Sequence, residues 1–264
     1  MDLQLQSKKA FISGSTSGIG FAIASWLLAE GAEVIINGRS ESSVQIAVGR
    51  LKDQFPQSYV SGIVKDFGHS AGIESLKKEL KDIDILINNV GIYSSESFFT
   101  ITDETWLEQF EVNVMSGVRL SRMVLQSMLD KDWGRIIFIS SECASLVPTD
   151  MISYSTTKSA MHAVSRGLAN MTKGTGVTVN TVMPGSTLTE GARTFLAQVS
   201  KTENRPLEDV SKDFFTKVRT SSLLQRFASV DEIASTICYI ASPLSSATNG
   251  ATIKLEGGST GGLM

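Results

Sequence analysis

An α/β fold, in which helices wind over both faces of a parallel sheet, is the architecture this chain predicts. Three observations carry the prediction. Short apolar runs alternate with longer amphipathic stretches along the whole sequence, the pattern of strands joined by crossover helices. The first of these junctions is a Gly-rich turn. The 264 residues, 42% of them hydrophobic, suit one large domain with a substantial core, and no linker, repeat or low-complexity segment divides them.

Taken in order, residues 10–13 read as the first strand, and residues 21–30 continue from the Gly-rich turn as a helix that Gly31 stops. Residues 33–37 form the second strand, and Ser40 caps the next helix. Residues 59–66 are a third strand, 70–80 are helical in pattern, and 84–88 are a fourth strand. Residues 102–130 read as a long helix opened by a capping box at Thr102 and Thr105. Residues 135–139 are a fifth strand and 153–173 a second long helix. Residues 177–182 are a sixth strand, closed by Pro184 and Gly185. A helix over 230–241, capped by Ser229, leads to a seventh strand at 251–255. Residues 186–227 break the alternation. They are richer in Thr, Lys and Glu, carry Pro206, and read as an irregular insertion where a substrate lid would sit.

Composition excludes several classes of function. A net charge of −3 without a basic run argues against a nucleic-acid partner. The N-terminus lacks the basic and apolar regions of a signal peptide, and no apolar stretch reaches the roughly 20 residues of a membrane span. The chain reads as soluble and cytoplasmic. Cys143 and Cys238 are far apart and in no metal-ligand pattern, which fits a reduced compartment and buried packing. His69 and His162 lack the clustering of a metal site or a catalytic triad and read as structural, although His162 falls one turn after Lys158. No metal is expected.

The first turn, Ser13-Gly14-Ser15-Thr16-Ser17-Gly18-Ile19-Gly20, lies between a strand and a helix. Glycine lets backbone N–H groups close on a pyrophosphate, and the helix N-terminus favours the anion. The second strand ends in Asn37-Gly38-Arg39. A carboxylate there would bind the adenosine ribose and reject a 2′-phosphate. Arg39 instead offers a forked contact to phosphate, so NADP(H) is favoured over NAD(H). Asp66, at the end of the third strand, is placed to accept from the adenine amino group.

Tyr154 and Lys158 stand four residues apart, hence on one face if the stretch is helical. A phenol ordinarily titrates near 10, and a close cation favours its ionised form by about 1–3 units. Ser141 upstream would hold a substrate oxygen. Asn113 is locally unfavourable inside a helix, and such a breach often marks function.

These residues together resemble the short-chain dehydrogenase/reductase family over nearly the whole length. The resemblance rests on Gly14, Gly18 and Gly20, on Asn88-Asn89-Val90-Gly91, and on Asn113, Ser141, Tyr154 with Lys158, and Pro184-Gly185. It implies a Rossmann-type, three-layer αβα fold with a doubly wound seven-stranded parallel sheet. Tyr154 would be the general acid or base, and Ser141 would polarise the substrate. Lys158 would bind the nicotinamide ribose and lower the Tyr154 pKa, and Asn113 would anchor a water. Phe67, Asn89, Val90, Gly91, Pro184 and Gly185 would join the turn in holding the cofactor, with Thr187 and Thr189 at the carboxamide. Ser13 stands where the family usually has Thr, Val90 where it has Ala, and Glu256 where it has Asp. The implied activity is hydride transfer between NADP(H) and a carbonyl or alcohol. The same chemistry with NAD, and a non-catalytic dinucleotide sensor, remain open alternatives. A homotetramer or homodimer through residues 102–130 and 153–173 is a further expectation of the family. Leu146, Val147, Met151, Ile152, Leu188, Phe195 and Leu196 would line a substrate pocket or pack the insertion on the core.

Overall fold

The computed structural model describes residues 2–68 and 73–262. His69 and Ser70 therefore lie outside the described residues. Seven strands form one parallel sheet in the order β3-β2-β1-β4-β5-β6-β7. They are β1 (Lys9–Ile12), β2 (Glu33–Gly38), β3 (Val60–Val64), β4 (Ile85–Asn88), β5 (Gly134–Ile139), β6 (Val177–Pro184) and β7 (Thr252–Leu255). Three helices cover one face: α1 (Gly18–Ala29), α2 (Glu41–Gln54) and, near the end of the chain, α7 (Val230–Ala241). The other face carries α3, over residues 103–130, and α4 (Ile152–Met171).

Period-two alternation along the strands sorts the core into these two layers. Ile12, Ile87 and Ile139 pack with Ile23, Leu51 and Ile237 of the first helical layer. Their neighbours Phe11, Leu86 and Phe138 pack with Leu120, Val124 and Met161 of the second. All seven predicted strands and the doubly wound architecture are present. β1 pairs with both β2 and β4, so the chain changes direction there and opens a crevice at the strands' C-terminal ends.

Three local expectations are corrected. Between β3 and β4 the described residues hold only a 3₁₀ turn, Glu74–Lys77, in place of a helix over 70–80. Buried Ile73 and Leu76, three apart, suit the tighter period. The Thr102 side chain accepts from the Thr105 amide at 3.2 Å, but no Glu or Gln stands at Thr105 to complete a capping box. The full reciprocal box is at Ser229 and Glu232 instead. Residues 186–227 are not irregular throughout but hold two helices: α5 (Glu190–Glu203) is N-capped by Thr189, and α6 begins at Leu207–Asp213 and continues into a π turn, Phe214–Val218. Phe214, Phe215 and Phe227 form a ring cluster, with centroids 4.9–5.1 Å apart, that folds this segment on itself. Among the described residues no helix is long and apolar enough to cross a membrane, and no group of three His, Cys, Asp or Glu is arranged to hold a metal.

Candidate active site

The turn between β1 and α1 is a hydrogen-bonded frame. Gly14 takes φ +62°, which glycine alone reaches without strain. A Cβ at Gly20 would stand 2.6 Å from both the Gly14 carbonyl oxygen and Asn89 Nδ2. The Ser13 hydroxyl accepts from the amides of Asn89 (3.0 Å) and Val90 (3.2 Å), so the serine keeps the strand-to-turn link. Asn89 Nδ2 donates to the carbonyls of Ser13 and Gly14. Two further predicted cofactor residues, besides Asn89, belong to this frame through their side chains. Ser15 Oγ donates to the Ile12 carbonyl, and Asn37 accepts from the Gly14 amide while donating to the Ile63 and Lys65 carbonyls. Phe67 lines the groove that adjoins this turn, while its buried ring packs against Phe11, centroids 6.1 Å apart. α1 opens with Ser17 extended, without a side-chain cap and without an acidic residue in its first turn. Its N-terminal amides thus lack a local partner of the usual kind.

From this turn a groove of about 380 Å³ runs over the ends of β2 and β3. Thr16, Ser17, Arg39, Asp66 and Val90 line it, as does Lys65, a cation the sequence reading missed although it adjoins Asp66. β2 ends at Gly38, with no carboxylate. Arg39 is exposed and makes no salt bridge among the described residues. Asp66 Oδ1 accepts from the Gly68 amide at 2.8 Å. Val90 covers Gly14, its Cγ2 lying 3.1 Å from where a Cβ would be. This donor set, with glycines at each close approach and Arg39 and Lys65 in the lining, fits a dinucleotide.

The groove meets a second cavity, of about 610 Å³, at Asn89, Gly91 and Ile92. Ser141, Tyr154 and Lys158 share its wall, together with Ile19, Pro184, Gly185, Thr187 and Thr189. α4 carries Tyr154 and Lys158 on one face, the ammonium 5.6 Å from the phenol ring centroid. Lys158 is buried, and its Nζ donates to the Ile139 carbonyl at 2.9 Å. Burial lowers its pKa to about 8. Burial raises the Tyr154 phenol, against which the Ser141 hydroxyl acts. The lowering of the phenol by Lys158, expected from spacing, is therefore not the dominant effect here. Desolvation sets the direction of the shift, and the ammonium is directed at a backbone carbonyl. Ser140 lies one residue away but is turned inward, donating to the Lys158 carbonyl and pairing with His162 Nε2 at 2.7 Å. His162 Nδ1 reaches Thr252 Oγ1 at 3.2 Å, so this imidazole joins α4 to β5 and β7.

Asn113 sits in a π turn, Glu111–Met115, in the middle of α3. The extra residue in such a turn aims a side chain off the regular helix face. Here the amide clamps the strand-end loop: Oδ1 accepts from Ile92 N at 2.7 Å, and Nδ2 donates to the Ile92 carbonyl and to Thr157 Oγ1, both at 2.9 Å. A Cβ at Gly91 would lie 3.2 Å from Lys158 Nζ and 3.5 Å from Asn113 Oδ1, which places both groups around one backbone point. Thr187 Oγ1 donates to the Gly185 carbonyl, and Thr189 caps α5 by accepting from the Ala192 amide.

The far wall is largely apolar. Met151, Phe195 and Leu196 line it as predicted, joined by Phe214 and Phe227, whereas Leu146, Val147, Ile152 and Leu188 do not. Next to Ser141 the wall carries an ion pair missed in the sequence. Arg219 Nε donates to Glu142 Oε1 at 2.9 Å, with the two side chains 13% and 4% exposed. Ser186 Oγ donates to the same oxygen. Glu142 follows Ser141 directly and was open to notice; Arg219 is 77 residues away, with nothing local to link them.

The family model for short chain dehydrogenases matches residues 8–200. An uncharacterised oxidoreductase of Bacillus subtilis, YvaG, is 46% identical over 98% of both chains. The 3-oxoacyl-(acyl-carrier-protein) reductase FabG of Vibrio cholerae is 31% identical, covering 97% of this chain and 98% of that one. Among solved structures, the L-sorbose reductase of Gluconobacter frateurii, complexed with NADPH and L-sorbose, superposes with a TM-score of 0.93 over 100% of both chains at 28% identity.

Proposed function

Since the chain belongs to the short chain dehydrogenase family, we propose that it is an NADP(H)-dependent carbonyl reductase, or alcohol dehydrogenase in the reverse sense. One observation carries the reading. Ser141, Tyr154 and Lys158 converge on a cavity that runs, past Asn89 and Gly91, into a groove ending at Arg39 and Lys65. A nicotinamide dinucleotide bound along that groove would supply the hydride. The chain's own residues then handle the oxygen. The phenol of Tyr154, held protonated by its raised pKa, donates a proton to the substrate oxygen, and the Ser141 hydroxyl donates a second hydrogen bond to it. Lys158 contributes a charge that is only partly populated above about pH 8, beside the phenol and close to Gly91. Asn113 holds the Ile92 loop at the junction of cavity and groove.

Arg39, Lys65 and the absence of an acid at Gly38 favour the 2′-phosphorylated cofactor over NAD. The NADPH complex of the L-sorbose reductase agrees with that preference. The cavity is apolar at a distance from Ser141 and charged beside it, which suits a small carbonyl compound with a polar substituent near the carbonyl. The segment 186–227 would act as the lid, since α5 and the Phe214–Phe227 cluster form the cavity's outer wall. Self-association through α3 would cover Leu107 and Phe110, which are exposed. The test is NADPH consumption against a panel of polar ketones, apolar ketones and 3-oxoacyl thioesters, with NADH in parallel. Turnover of at least one carbonyl class, faster with NADPH, is expected. Binding of dinucleotide with no turnover of any class would favour a sensor instead.

A further inference from the structure

The N-terminus of α1 does have a partner, and it comes from the insertion. Glu190 Oε2 accepts a hydrogen bond from the Gly18 amide at 2.8 Å, across 172 residues of sequence. Glu190 is also the first acidic residue of α5, directly after its cap Thr189. Thr189 lies against the same glycine: a Cβ at Gly18 would be 3.5 Å from Thr189 Cγ2 and 3.8 Å from Glu190 Oε2. Two helix N-termini thus approach each other, and one carboxylate serves both. Each helix end carries a partial positive charge that an anion stabilises. α1 supplies no acid of its own to satisfy it.

A dinucleotide's diphosphate would seek the same N–H groups. We propose that Glu190 is an intramolecular stand-in for that diphosphate, and that the cofactor binds by displacing it. The inference rests on the reading of the groove as a dinucleotide site, and it adds a competitor that the assignment of function does not require. Two anions do not share one amide, so the carboxylate must leave Gly18 as the diphosphate arrives. Its departure releases the start of α5 from α1. Because Gly191, Ala192, Phe195 and Leu196 of α5 line the substrate cavity, cofactor binding is thereby coupled to the cavity's outer wall. Glu190 sets cofactor affinity without touching the reacting atoms, so it is a positioning residue.

The test compares wild type with Glu190→Gln and Glu190→Asp by calorimetric titration of two probes, NADPH and adenosine 2′-phosphate, the second lacking a diphosphate. Gln removes the charge. Asp keeps an acid in the first turn of α5 but is one methylene too short to reach Gly18, which separates the contact from any general effect on the helix. Both variants should bind NADPH roughly two- to tenfold more tightly than wild type, the worth of one exposed charge-assisted hydrogen bond, with adenosine 2′-phosphate affinity unchanged. Unchanged or weaker NADPH binding in the two variants would overturn the proposal, as would equal tightening for both probes. A wild-type protein that binds neither NADPH nor NADH would instead overturn the parent reading of the groove.

Discussion

Replacing Lys158 by Met should cost the protein its activity and change its stability in a direction that depends on pH. The buried ammonium titrates at about 8 in the folded chain against an ordinary 10.5, a difference that amounts to about 3 kcal/mol at about 1.4 kcal/mol per unit. Below pH 8 both folded and unfolded chains carry the proton, and the full cost of burying the charge weighs on the fold. Between pH 8 and 10.5 the unfolded chain holds a proton that the folded chain has released, so stability rises with pH across that window. Methionine has no such dependence. It also removes the donor to the Ile139 carbonyl, which costs about 1–3 kcal/mol where that group is left without a partner. Near pH 7 the two effects largely offset, and the variant should lie within about 2 kcal/mol of wild type. By pH 9.5 wild type should have gained about 2 kcal/mol on the variant. Urea unfolding of both proteins at half-unit steps from pH 7 to 9.5 measures this. A wild-type-to-variant difference that stays flat over that range, or falls, would refute the claim that the amine is held in a desolvated site.

Further outcomes follow from other contacts. Arg39→Ala and Lys65→Ala, singly and together, should lower the NADPH-to-NADH preference in kcat/KM, by roughly tenfold or more for the pair; an unchanged ratio would mean that neither cation reads the 2′-phosphate. Gly20→Ala forces a Cβ to within 2.6 Å of the Gly14 carbonyl and Asn89, and dinucleotide titration should show binding lost or reduced more than tenfold. Asn113→Ala leaves the Ile92 N–H and C=O without their partners, which should cost about 1–3 kcal/mol in chemical denaturation and more in turnover than in cofactor affinity.

Much of this molecule is visible in its amino-acid order because two periodicities write it there. Phe11 and Ile12 part to opposite faces of the sheet, as do Leu86 and Ile87, and that alternation is readable locally. The spacing of Tyr154 and Lys158 puts both on one wall for an equally local reason. What escaped notice is long-range or depends on a departure from regular geometry. The π turn that re-aims Asn113 leaves no periodic trace distinct from the helix around it. Phe67 lines the groove and also packs its ring on Phe11, a partner that nothing near it in the sequence announces. Arg219 meets Glu142, and Glu190 meets Gly18, only once β6 and the insertion have folded back over the crevice. The insertion itself misled by composition, since it is rich in Thr, Lys and Glu although α5 is amphipathic and buries a single side chain, Leu196.

The most direct measurement is a single-turnover assay of Tyr154→Phe beside wild type, with NADPH and whichever carbonyl substrate the panel identifies. With the phenol oxygen gone and the ring retained, NADPH affinity should stay within about twofold while the hydride-transfer rate falls by about 10²–10⁴. A variant that reduces the carbonyl at a rate comparable to wild type would show that the proton comes from elsewhere, and the assignment of this cavity's chemistry would be wrong.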